Sequence, residues 1–280
     1  MKILKSIYEN EVEVKEISVL KSLFIIIMFT LIPGIINFLS TFIMILIDEN
    51  ISIGSVMIIA GIILIPVHMI IIIMVGKKYT QKDIIKINDK KVKINNKDFL
   101  YVFLIIIGYI LIREAILFDV LSQFEGPISE DDIDFFIDNA ETIEVVIFGF
   151  LMYFQTLITA PIFEELLFRG IILNGLLNKY KNSSKKAIIY SAMVFGLVHL
   201  NIPQGINAFI GGIILGFIYC YTKSMKLSIF AHFINNLMIF VPVPESLIFK
   251  FIYIVIGTYV IMKGIKYIRN TKLINISKAS

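Results

Sequence analysis

The stretch Pro161-Ile162-Phe163-Glu164-Glu165-Leu166-Leu167-Phe168-Arg169-Gly170 lies inside an apolar run that otherwise reads as a membrane-spanning helix. Two adjacent carboxylates and an arginine are expensive in hydrocarbon, at about 2.5–3.5 kcal/mol each at a helix centre on insertion scales. Ionisable residues kept at such positions face a bundle interior, have named partners and mark function by default. The stretch therefore predicts a membrane helix bundle with a polar centre.

Composition agrees. Of the 280 residues, 58% are apolar, and mean hydropathy is +0.86, more than a soluble domain of this size needs. The expected class is all-α: one polytopic membrane domain over 1–280. Tryptophan is absent, so tyrosine must supply the interfacial belt. The net charge of +4 reflects loop lysines of a membrane protein and gives no reason to expect a nucleic-acid partner. The single cysteine, Cys220, sits in an apolar run and reads as a small buried hydrophobe. About 21 mixed-charge residues precede the first apolar run, which is too long for the core of a cleavable signal.

Working outward from the central stretch, the fourth span runs over 143–177. Three spans precede it, at 22–47 (with Pro33-Gly34 predicting a kink), 54–76 (carrying Pro66 and His68) and 99–121. Four follow, at 187–200, 205–221, 227–241 and 245–263, the first two of them short for a full crossing. The loop 77–98 holds eight lysines, and 178–186, Lys223, Lys226 and the tail after Lys263 are also basic. The alternate connections, 48–53, 122–142, 201–204 and 242–245, contain no Lys or Arg. Eight spans with both termini cytoplasmic satisfy the positive-inside rule throughout. Lys250 is the irregularity; it snorkels to the outer interface, or its span begins later than drawn.

Three polar patterns then fall in order on three spans: Glu164-Glu165-x-x-x-Arg169, Phe195-x-x-x-His199 and His232-x-x-x-Asn236. Residues at i and i+4 share a helix face. Glu165 and Arg169 can therefore pair, while Glu164, about 100° away, points elsewhere. His232 and Asn236 can aim at one spot. A carboxylate and an imidazole sharing a water can take its proton, and an imidazole with an amide can hold an oxyanion. The pattern suits hydrolysis without a serine or cysteine nucleophile. Glu164, His199 and His232 would also make a two-His, one-Glu zinc set, but the contiguous His-Glu-x-x-His motif is absent, so the metal-free reading ranks above zinc. Arg113 and Glu114 are read as interfacial, and His68 as a packed or cavity-facing histidine. Ala208, Gly212 and Gly216 form a small-residue face for close packing of the neighbouring spans.

In this order and on these spans, the motifs resemble the CPBP family of intramembrane proteases, which includes CAAX prenyl endopeptidases and bacterial Abi proteins of bacteriocin processing or self-immunity. The resemblance covers 143–241, the expected catalytic core. It implies an eight-helix fold and endopeptidase action on a lipidated, membrane-associated or leader-peptide substrate. By motif position, Glu164 and His199 would activate water and His232 and Asn236 would hold the oxyanion, with Glu165, Arg169 and Phe195 in support. The expected setting is a bilayer, that of a bacterial cell membrane; oligomeric state and cleavage sequence are not specified. Two other functions fit the composition: a non-catalytic immunity or scaffold protein of the same fold, and a proton-coupled carrier. The intact set of four polar residues disfavours the first. The absence of repeated halves disfavours the second.

Overall fold

A computed structural model of the chain describes residues 2–81, 94–124, 141–241, 244 and 246–277. The elements in order are α1 (Lys2–Tyr8), β1 (Glu13–Val14), α2 (Val19–Ile47), α3 (Ile53–Tyr79), β2 (Thr80–Gln81), α4 (Asn96–Ile116), α5 (Phe118–Leu121), α6 (Thr142–Lys179), α7 (Ser184–Leu197), α8 (Ile202–Thr222), α9 (Met225–Leu237) and α10 (Leu247–Ser277). The protein is a polytopic helical membrane bundle. Six helices, α2, α3, α4, α6, α8 and α10, are long and apolar enough to cross a bilayer; α7, with 14 residues, and α9, with 13, are shorter.

The helices begin where the sequence supplies caps. Ser18, Ser52, Ser183, Asn201 and Ser224 each accept a backbone N–H of their helix's first turn, and Asn95 with Asp98 forms a reciprocal capping box. All eight expected stretches are helical over most of their length, and α2 and α3 continue through Pro33 and Pro66 as single helices. Their bounds differ in places. The third span stops at Ile116, and α5 follows it as a separate short turn. The last helix continues to Ser277 and takes in the basic tail. This last helix begins at Leu247, two residues later than expected, with Lys250 in its first turn, where its Nζ sits 2.5 Å from Asp119 of α5, an ion pair between the ends of two spans. Most of the basic loop 77–98 and of the acidic loop 122–142 lies outside the described residues.

Two apolar cores sit side by side. One gathers α1, α2, α3 and α7 around Leu166–Leu176 of α6; the other joins α4, α8, α9 and α10. In the second, α4 and α10 cross at Gly108 and Gly257, where a Cβ on either would lie 2.6 or 2.7 Å from the other's carbonyl. On α8, Gly212 faces Ala192 and Phe195 and Gly216 faces Ile188, all of α7, so two members of the expected small-residue face do admit a close neighbour.

The all-α architecture carries a short strand pair at the N-terminus. The mixed-charge segment is ordered, and its β1 pairs antiparallel with β2, Glu13 with Gln81 and Val14 with Thr80. Ile7, Val14 and Ile17 are buried against the ends of α3 and α6.

Candidate functional site

The central stretch lies where the two cores meet. Its helix, α6, is α-helical over Thr142–Phe154, widens to a π turn at Gln155–Thr159, returns to α over Ala160–Leu167, and widens again at Phe168–Leu173. Pro161 explains the consequence of the first widening. The Ala160 N–H goes to the Gln155 carbonyl, one residue further back than in an α-helix. The Thr156 carbonyl would then look to residue 161, which is proline and has no N–H. Asn236 supplies the missing donor: its Nδ2 lies 2.8 Å from the Thr156 oxygen. One amide hydrogen of Asn236 is thereby engaged and the other is left over.

Glu165 is fully buried and fully partnered. Arg169 Nη1 stands 3.0 Å from Oε1, Ser228 Oγ donates to Oε2 at 2.5 Å, and His232 Nδ1 lies 2.9 Å from Oε1. Arg169 is itself buried, donates to the Gly212 carbonyl of α8 at 3.2 Å and lies over the Phe195 ring at 4.8 Å. The expected Glu165–Arg169 pair is present. Sequence reasoning did not find that Glu165 also holds His232, nor that Ser228 takes part. A signal existed for the latter, since Ser228, His232 and Asn236 repeat every four residues on α9.

A carboxylate accepts only, so His232 donates from Nδ1 and turns Nε2 outward. That nitrogen lies 3.8 Å from Glu164 Oε2. The gap is too long for a hydrogen bond and suits two groups that share a third atom between them. Glu164 is partly exposed and lines a cavity of about 250 Å³ with Phe29, His68, Gln155, Thr156 and Phe163 among others.

His199 is not on a helix face. α7 ends at Leu197, His199 lies in the turn after it, and Leu200 has a left-handed backbone with φ 53°. Its Nδ1 sits 3.0 Å from the Phe195 carbonyl, so its Nε2 is also free to accept. Phe195 organises the neighbourhood: its ring meets His199 edge-on at 5.2 Å, His232 at 5.8 Å and Phe168 at 4.8 Å. Glu164 and His232 thus come together directly, with His199 beside them through Phe195 and Asn236 tied to the cavity wall at Thr156. Arg113 and Glu114 form an ion pair with each other at the far end of α4.

Glu164, His199 and His232 are the set that the alternative, zinc, would use. Among the described residues, no three His, Cys, Asp or Glu side chains are grouped so as to hold a metal ion. Glu164 and His232 approach each other, but His199 directs Nδ1 to its own helix end.

Residues 146–238 match the family described as type II CAAX prenyl endopeptidase, Rce1-like. Over 86 residues the chain is 34% identical to the Bacillus subtilis (strain 168) protein named "Putative membrane peptidase YdiL", covering 31% of this chain and 34% of that protein. The matched stretch thus spans about a third of that relative's length. No solved structure matches the chain.

Proposed function

We propose, on the premise that residues 146–238 place the chain in the CPBP family of intramembrane proteases, that the protein is an endopeptidase in which Glu164 activates a water against a peptide bond. The observation that carries this reading is the 3.8 Å approach of Glu164 Oε2 to His232 Nε2 at the edge of a cavity. A water held between them loses its proton to Glu164 as its oxygen attacks the carbonyl carbon. The C–N bond then breaks, and Glu164 returns the proton to the leaving amine. His199 Nε2 assists as a second acceptor for the water. With a hydrogen on each ring nitrogen, His232 gives that of Nδ1 to Glu165 and that of Nε2 first to the oxygen of the water and then to the oxyanion, which the second amide hydrogen of Asn236 also stabilises. Glu165 acts through His232: pinned by Arg169 and Ser228, it fixes which nitrogen faces Glu164. The catalytic core is 143–241. This reading assigns every step to the side chains of the chain itself, and it is supported by the lack, among the described residues, of three His, Cys, Asp or Glu side chains grouped to hold a metal ion.

The substrate class follows from the family's description: a lipidated CAAX-like tail, with leader peptides as the alternative. The test is cleavage of quenched peptides by purified protein in detergent, using a farnesylated CAAX peptide and double-glycine leader peptides. Glu164→Gln and His199→Ala are expected to lower kcat by roughly 10²–10⁴ and to stay folded. Activity that survives a chelator agrees with the arrangement of donors. Activity lost to the chelator and restored by zinc would turn Glu164, His199 and His232 into ligands. Full activity of Glu164→Gln would remove the proposed base.

A further inference from the structure

The cavity beside Glu164 has a second titratable wall. His68, one of three histidines in the chain, reaches it from α3. Its Nδ1 lies 2.8 Å from the Leu64 carbonyl one turn back. A carbonyl only accepts, so Nδ1 carries the hydrogen and Nε2 of the neutral ring is a bare acceptor. Phe29 meets the ring edge-on at 4.7 Å and holds its plane.

The other polar groups of the lining behave alike. Gln155 Nε2 donates to the Gly61 carbonyl at 2.9 Å, and Thr159 Oγ1 donates to the Gln155 carbonyl at 3.2 Å. These donors are drawn to main-chain carbonyls, leaving His68 Nε2, Gln155 Oε1 and the Glu164 carboxylate as acceptors, beside the Thr156 hydroxyl and the second Gln155 amide hydrogen. The remaining lining is largely apolar, with Phe29, Leu64, Ile65, Ala160 and Phe163. Such a wall is complementary to a ligand that carries N–H donors into a water-poor space. An extended peptide is that ligand, since each of its N–H groups left unpaired there is costly. Glu164 is committed to the water and Gln155 shares its helix, so His68 Nε2 is the acceptor that the facing helix α3 contributes to hold the chain.

We propose that His68 is a substrate-positioning residue: its Nε2 accepts a hydrogen bond from a backbone N–H of the peptide seated beside Glu164. The inference rests on the peptidase reading above. A cavity of about 250 Å³ is smaller than a usual small-molecule pocket and holds a residue or two of chain.

The experiment uses the full-length protein in detergent and the peptide of the panel that wild type cleaves best. Alongside it run analogues in which single amide N–H groups near the cleaved bond are replaced by ester oxygens. His68→Phe keeps the ring against Phe29 and removes the acceptor; His68→Gln restores an acceptor. Phe is expected to raise KM by up to about tenfold, the worth of one hydrogen bond, with kcat within about twofold, and Gln to recover most of the loss. One ester analogue should cost wild type the same factor and leave His68→Phe indifferent. A His68→Phe enzyme that matches wild type, or that loses the same factor on every ester analogue as wild type does, overturns the assignment while leaving the peptidase reading intact. A wild type that cleaves no peptide overturns that reading, and this inference falls with it.

Discussion

The Thr156 carbonyl would take a hydrogen bond from residue 160 in α register or from residue 161 in π register. The first N–H is given to Gln155, the second does not exist, and Asn236 takes the place of both at 2.8 Å. Placing Asn236 is thus a consequence of Pro161. Pro161→Ala supplies an N–H that competes for the Thr156 oxygen and lets the Asn236 amide swing. We expect kcat to fall roughly tenfold or more from such a misplacement, with thermal stability kept or raised because the proline no longer interrupts the ladder. Asn236→Ala added to Pro161→Ala should then cost little more than either change alone. Losses that multiply in full would show that the two residues act separately. At this scale the sequence was informative about identity and less so about aim. The spacing of Glu165 and Arg169 predicted their pairing, and it holds at 3.0 Å. It also put His232 and Asn236 on one face, but not which acceptor each would meet, because Glu165 and Thr156 lie on a helix about 70 residues earlier.

Between elements, what decides position is how near one backbone can come to another. The N-terminal segment lies across the end of α6 where glycine leaves room: a Cβ on Gly175 would fall 2.5–2.7 Å from three atoms of Ile17, and one on Gly170 would fall 2.4 Å from Ile7. Hydrogen bonds fasten the same segment, from Asn178 Nδ2 to the Val14 carbonyl at 2.6 Å and from the Ile17 N–H to the Gly175 carbonyl at 3.0 Å. Gly175→Ala therefore overpacks the site, and a loss of about 1–3 kcal/mol is expected, read as a lower midpoint of thermal unfolding in detergent. Ile17→Ala made in the same chain should return part of it, because the methyl then has space. A double variant less stable than both singles would show that Ile17 is not the atom group in conflict. Hydropathy made the long helices legible, since lipid demands an unbroken apolar run. It could not show β1 with β2, which pairs residues far apart in sequence, nor the end of α7 before His199, where the apolar run continues past the last helical residue. The π turns of α6 leave no compositional trace apart from Pro161.

At the scale of the molecule, the polar contacts sort into two ends. At one, Asn10 Nδ2 donates to the Lys223 carbonyl, Lys15 Nζ donates to the Lys78 carbonyl, and Glu16 meets Lys179 and Lys181 at 3.6 and 4.0 Å. At the other, Ser52 and Ser55 both donate to Glu144, joining the starts of α3 and α6, and Asp119 holds Lys250. Among the described residues, the cations of this acidic end, Lys250 and Arg113, are each matched by a carboxylate, Asp119 and Glu114, so neither counts against the orientation set by the remaining lysines. The lysine-rich end is expected to face the cytoplasm. Cys220 is the sole cysteine, so Cys220→Ser gives a background for labelling. In that background Asn50→Cys and Asn182→Cys, both at exposed positions of opposite ends, divide the outcomes. Asn50→Cys should react with a membrane-impermeant maleimide on intact cells, and Asn182→Cys only after the membrane is opened. The reverse pattern would invert the molecule. The prediction also bears on the site: Glu164 lies roughly 22 Å along α6 from Lys179, at about 1.5 Å per residue, so a peptide must enter the bilayer to reach it. On the proposed peptidase reading, the lysine-rich end would admit a lipid-anchored tail from the cytoplasm, and the inverted molecule would meet substrates already carried across.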